Sequence, residues 1–99
     1  MQDNYYTIVV RFKTEHGKEE VFKKFLTSIV GVALQSPGCI RHDFHQSLND
    51  SSEFMFYENW INKEAHEKHI VRPEVKQWRD QLNDYLEIPY TISFWGKIL

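Results

Sequence analysis

Cysteine is nearly missing from the chain: Cys39 stands alone among 99 residues. A single thiol excludes an internal disulfide framework and a cysteine-based zinc site, and it fits a reducing compartment. No apolar run approaches the ~20 residues needed to cross a bilayer. The amino terminus, MQDNYYTIVVRF, has no basic start followed by an apolar stretch, so no signal peptide is expected. Neither sign of charge dominates. Twelve Lys and Arg against fourteen Asp and Glu give a net charge of −2. That balance argues against nucleic acid, which selects a basic face, and against an anionic membrane surface. There is no glycine-rich phosphate loop, no nucleophile elbow and no HExxH pattern. Repeats, linkers and low-complexity segments are also absent. The expectation is a cytoplasmic protein with a small-molecule partner and with neither nucleic acid nor membrane.

Aromatic residues are abundant: seven Phe, five Tyr and three Trp. Residues 1–99 make one domain, and a chain of this size buries only about two-thirds of its unfolded surface. So much flat apolar surface exceeds what a small core takes up. The remainder is expected to cover a pocket or a subunit interface, where aromatics are favoured.

Two periodicities divide the chain. YYTIVVRFK (5–13) is β-branched and aromatic and reads as a strand, with Tyr6, Ile8, Val10 and Phe12 on a wholly apolar face. In residues 17 to 35, Val21, Phe22, Phe25, Leu26, Ile29, Val32 and Ala33 recur at helical steps. Gly31 is expected to allow close packing there, and Ser36-Pro37-Gly38 stops the helix and turns the chain. CIRHDFHQS and FMFYENW alternate on either side of the polar turn LNDSSE and predict an antiparallel hairpin. Ile40, His42 and Phe44 share one face of its first strand; Arg41, Asp43 and His45 share the other. Asn62 is placed to cap a helix running to about Val71. Pro73 opens a second segment, with Val75, Trp78, Leu82, Tyr85 and Leu86 on one stripe. YTISFWGKI closes the chain as a strand.

The order β-α-β-β-α-β predicts an α+β, ferredoxin-like split βαβ fold: a four-stranded antiparallel sheet with its helices on one face. The opposite face carries Tyr5, Val9, Met55, Tyr57 and Trp95 among Thr7, Arg11, Arg41, Asp43, His45, Asn59 and Ser93. That mixture is too aromatic for open solvent and too polar for a dry core. A homodimer through this face is expected.

On the helix side, strand alternation gathers Phe54, Phe56, Glu58 and Trp60 with Ile40, His42 and Phe44. An aromatic cavity holding one carboxylate and one imidazole suits a flat, weakly polar organic molecule. A half-buried Glu or His there has a perturbed proton affinity, useful for removing a proton from an activated carbon or a phenol. The structural alternative pairs Glu58 with Arg79 or Arg41 and places His42 in a hydrogen bond within the sheet. Arg72 and Arg79 fall on a solvated helix face. His66 and His69 stand three apart on one helix and chelate a metal only if a third ligand such as Glu58 converges. Spacing alone is weak support for that, and no metal or cofactor is assigned.

SPGCIRHDFHQS, then FMFYENWINKEAHEKHI, then a proline and an aromatic helix, resembles the antibiotic biosynthesis monooxygenase-like (ABM) domain. Its pattern PGC-x-x-aromatic, F-x-x-YE-x-W, A-x-x-x-H is met by Pro37-Gly38-Cys39, Tyr57-Glu58, Trp60, Ala65 and His69. The resemblance spans nearly the whole chain. It implies a dimeric α+β barrel with a pocket between sheet and helices, and no cofactor. Some members oxidise phenols to quinones with dioxygen; others isomerise or degrade small metabolites, or degrade haem. By this resemblance Trp60 is the pocket tryptophan and His69 the helix histidine. His66 falls where some oxygenases place a tyrosine, and Arg79 near a position that carries arginine. Phe56 replaces an asparagine found in some oxygenases, Glu74 a frequent histidine, and Val10 the asparagine of haem degraders. The expected site therefore has His69, His66 or His42 as proton acceptor. Trp60, Phe56, Glu58, Phe44, Arg79 and Trp78 are the expected binding residues. The expected reaction is a cofactor-independent monooxygenation of a small aromatic, phenolic or quinol-like molecule, with a non-oxidative isomerase or metabolite-binding protein as the alternative.

Overall fold

A computed structural model describes residues 5–99. Its elements run β1 (Tyr6–Lys13), α1 (Glu19–Leu34), β2 (Cys39–Gln46), β3 (Glu53–Trp60), α2 (Lys63–Ile70), α3 (Pro73–Gln81), a short 3-10 turn (Leu82–Asp84) and β4 (Thr91–Gly96). The strands form one antiparallel sheet in the order β2-β3-β1-β4. The split βαβ architecture expected from the sequence is therefore the observed one. No described helix is long and apolar enough to cross a membrane.

Central strands carry the core. Ile8, Val10 and Phe12 of β1 lie opposite Glu58, Phe56 and Phe54 of β3, so one period-two pattern reinforces the other. Phe22 and Leu26 of α1, with Trp78, Leu82 and Leu86, close over them. The aromatic contacts are mostly tilted or edge-to-face, as between Phe12 and Phe56 at 5.2 Å, the arrangement that ring quadrupoles favour.

Four expectations are corrected. The β2 register shifts between Cys39 and Arg41, so Ile40 becomes the extra residue of a bulge. It is exposed, and Cys39 packs against the core instead. Val21 lies off the buried stripe of α1, which runs through Phe22, Leu26 and Ala33. Gly31 brings nothing close: a Cβ there meets no atom within 4 Å. The last helix ends at Gln81, so Tyr85 and Leu86 lie beyond it; Leu86 forms a β-bridge with Thr14 and ties this segment to the end of β1.

Two corners bring α2 to the sheet. Asn62 caps the helix by accepting the Ala65 N–H at 2.8 Å. Opposite it, Gly38 has φ +87°, and a Cβ there would stand 2.6 Å from Ala65 Cβ. The Ile61 N–H donates to the Gly38 carbonyl at 2.9 Å. Only glycine lets the α1–β2 turn lie directly on the start of α2. That contact brings Ser36 to α2.

The two glycines should respond in opposite directions to alanine. Gly38→Ala should destabilise by about 1–3 kcal/mol through strained backbone and overpacking. Gly31→Ala should stabilise by roughly 0.5–1 kcal/mol through helix propensity. Urea unfolding of both variants checks this.

Candidate functional site

Side chains of β3 alternate, so Phe54, Phe56, Glu58 and Trp60 all point toward the helices. His42 stands opposite Glu58 on β2. The three-residue step between His66 and His69 turns both inward from α2, where both are buried. α3 adds Trp78 and Arg79. Between these elements lies a cavity of about 140 Å³, lined by His42, Phe56, Glu58, His66, His69, Trp78 and Arg79 with apolar side chains that include Val10, Ile92 and Phe94. Seven of the nine residues expected at the site are thus brought together.

Trp60 and Phe44 are placed elsewhere. Trp60 is fully buried behind the wall, with its ring 4.8 Å from His69 and 5.5 Å from His66. It supports both imidazoles without lining the cavity. Phe44 stacks on Phe54 at 5.5 Å, toward the end of the sheet away from α2. Alternation puts a residue on a face but does not say how far along that face the hollow extends.

Glu58 is the most constrained group. Its Oε1 accepts the Trp60 indole N–H at 2.9 Å, and its Oε2 lies 3.5 Å from His42 Nε2. It is paired with neither Arg41, which bonds Asp43, nor Arg79. Burial pushes its pKa up to about 7, against the opposing effect of the Trp60 hydrogen bond. The imidazoles move the other way. Burial holds His42, His66 and His69 each at about 4, reinforced by neighbouring imidazoles or guanidinium groups. All three are neutral at pH 7, so the His42–Glu58 contact is not an ion pair there.

Among the described residues, two buried ring nitrogens, His42 Nδ1 and Trp78 Nε1, have no hydrogen-bond partner. His69 Nδ1 lies 2.7 Å from Ser36 Oγ, and the same oxygen accepts from Arg72 Nη1 at 2.6 Å. Sequence reading missed Ser36, because nothing local links a turn serine to a histidine 33 positions away. It also missed the part played by Tyr90, Ile92 and Phe94 at the cavity, although their alternation in YTISFW was available as a signal. Arg72, expected on a solvated face, is half-buried, and so is Arg79.

Cys39 is held as a neutral thiol. Burial, with Glu58 nearby, pushes its thiol up to about 11, far from a reactive thiolate. Among the described residues no group of three or more His, Cys, Asp or Glu is arranged to hold a metal. A larger hollow of about 500 Å³ opens near Arg11, His45, Met55 and Ile88. It contains none of the buried, perturbed groups.

Comparison with known proteins adds the family. A family model described as antibiotic biosynthesis monooxygenase matches residues 5–81. An uncharacterized protein of Synechocystis sp. is 24% identical over 93 residues; the match takes in 94% of this chain and 63% of that protein's length. A Nitrosomonas europaea protein, named as a candidate antibiotic biosynthesis monooxygenase, superposes with a TM-score of 0.91 at 24% identity, covering 99% of this chain and 94% of that one. A conserved protein from Methanosarcina mazei gives a TM-score of 0.91 at 20% identity, covering 97% and 95%. At these identities the structural likeness shows a shared fold.

The buried titrating groups predict how stability follows pH. The three imidazoles bind fewer protons folded than unfolded between about 4 and 6.5, so their contribution is lost as pH falls through that window. Glu58 binds more protons folded, so its contribution is lost as pH rises from 4.5 toward about 7. Three groups outweigh one. Scanning calorimetry should show Tm rising from pH 4 to 6.5, and Glu58→Gln should steepen that rise by removing the opposing slope.

Proposed function

Because the chain belongs to the antibiotic biosynthesis monooxygenase family, whose model covers residues 5–81, we propose that its cavity binds a small phenolic or quinol-like ring and supports oxidation of that ring by dioxygen without a cofactor. The observation that carries this reading is the hollow itself, in which one buried carboxyl group, Glu58, stands with three imidazoles, His42, His66 and His69, among aromatic walls. Phe56 and Trp78, stacked at 6.0 Å, supply the flat walls. A volume of about 140 Å³ is close to the ~150 Å³ that holds one benzene ring, so a single ring is favoured over a three-ring system.

Chemistry begins with removal of a proton. Glu58, with its acidity near 7, is better matched to that task at neutral pH than imidazoles held at about 4. The role of acceptor therefore passes from the histidines to Glu58, which Trp60 and His42 hold in place. The resulting phenolate is electron-rich enough to pass an electron to dioxygen itself. One ring C–H becomes C=O, and the second oxygen atom leaves as water with the two hydrogens: phenol plus dioxygen gives quinone plus water. Arg79, at the cavity wall, favours the anion.

A second reading is non-oxidative isomerisation. It is favoured by the proximity of two different proton-transferring groups, Glu58 and His42, at 3.5 Å. In both readings a second copy of the chain covers the outer sheet face. The exposed Trp95 and the half-buried Tyr57 and Val9 supply area there, while Thr7 and Asn59 already satisfy each other at 2.8 Å. Trp95→Glu should shift sedimentation from dimer to monomer; a monomeric wild type would overturn the assembly.

Oxygen uptake in metal-free buffer tests the reaction. Hydroquinone-type single rings should be consumed faster than naphthols, and naphthols faster than anthrones. kcat/KM should rise with pH through about 7 as Glu58 ionises, and Glu58→Gln should lower it by roughly 100-fold or more. Saturable binding of these compounds with no oxygen consumed would replace oxidation by isomerisation.

A further inference from the structure

We infer that Ser36 and Arg72 are positioning residues that hold His69 as the tautomer protonated at Nε2, so that His69 meets a ligand oxygen as a hydrogen-bond donor. The inference rests on the cavity being the ligand site, as proposed above, and narrows the ligand's chemistry at one point of its wall.

Guanidinium nitrogens only donate, so Arg72 Nη1, 2.6 Å from Ser36 Oγ, uses an oxygen lone pair. Ser36 is 4% exposed, and water does not compete for its hydroxyl proton. Among the described residues the only other hydrogen-bonding partner of Oγ is His69 Nδ1, at 2.7 Å. The serine proton therefore points at Nδ1, and Nδ1 must present a lone pair. A neutral imidazole whose Nδ1 accepts carries its proton on Nε2. Nε2 has no protein partner among the described residues, and His69 lines the cavity.

Surroundings on every side keep this ring neutral. Arg72 and Arg79 from the α3 segment and His66 from α2 oppose a positive charge, and Glu74 only partly offsets them. Trp60 packs against the ring from β3, but its N–H is committed to Glu58. Forming an imidazolium would also turn the Ser36 proton away from its only acceptor.

Backbone features aim the relay. Pro73 forces the residue before it into an extended conformation, and Arg72 has φ −63° and ψ 140°. Arg72 Nε bonds Glu74 Oε1 at 3.0 Å, which orients the guanidinium fork so that Nη1 reaches Ser36. Gly38 fixes the turn that carries Ser36 against α2. The cavity thus offers a donor at His69 and an acceptor at Glu58. A ligand that fits both has an acceptor oxygen, carbonyl or phenolate, at the His69 end and a proton to give at the Glu58 end.

Long-range ¹H–¹⁵N correlation spectra of the ligand-free protein at pH 7 read the tautomer directly. His69 should be Nε2-protonated in the wild type, should become a tautomer mixture in Ser36→Ala and should return to the single form in Ser36→Thr. Binding of 4-nitrophenolate, followed by its absorbance, should weaken roughly tenfold in Ser36→Ala, the loss of about one charge-assisted hydrogen bond. Protonation of wild-type His69 at Nδ1, or a tautomer unchanged by Ser36→Ala, overturns the inference. The wild-type spectrum decides the point even if Ser36→Ala does not fold. No substrate is consumed in it, so an absence of oxygen uptake sinks the proposed reaction and leaves the tautomer assignment standing.

Discussion

Glu58 is a carboxyl group taken out of water on the second strand from the edge of a small sheet, and much of the inner architecture accommodates it. An uncompensated buried carboxylate is too costly to persist, so such a group either finds donors or keeps its proton. Here one indole N–H meets Oε1, an imidazole stands 3.5 Å from Oε2, and burial raises the pKa toward neutrality. The balance is incomplete by design of the neighbours. Trp60 supplies one hydrogen bond, and the three imidazoles, themselves neutral, supply no countercharge. A group left between protonated and ionised at pH 7 is useful for moving a proton.

The same corner shows how backbone devices serve a site they do not touch. Gly38 permits the α1–β2 turn to lie on α2, Asn62 starts that helix, and Pro73 ends the connection to α3 with Arg72 extended. Together they bring Ser36 within hydrogen-bond reach of His69 and Arg72, although it lies 33 and 36 positions from them. Shape and proton position at the cavity are thereby set by turns and caps as much as by the lining side chains.

Legibility from sequence was uneven, for physical reasons. Val10, Phe12, Phe54 and Phe56 were placed correctly on the helix-facing side because a strand's side chains alternate whatever surrounds them. Asn62 and Pro73 were read correctly because capping and the proline ring act within a few residues. Ile40 was misplaced because a bulge adds one residue, so Cys39 rather than Ile40 shares the inner face with His42 and Phe44. Trp60 was expected to wall the pocket, yet its indole turns to Glu58 and lies behind the histidines. Gly31 and Gly38 look alike in one dimension, and only the packing distinguishes open space from a 2.6 Å approach.

By itself, then, the order of residues determined the element order, the buried faces of β1 and β3 and the set of chemical groups near the sheet–helix corner. These follow from short-range rules: period two in strands, period 3.6 in helices, caps and breakers at their ends. Tertiary structure decided which of those groups share a cavity, which ring stands behind it, how far each acidity moves and where the His69 proton sits. Those properties depend on desolvation and on hydrogen bonds between residues 33 and 36 positions apart, and no local pattern encodes them.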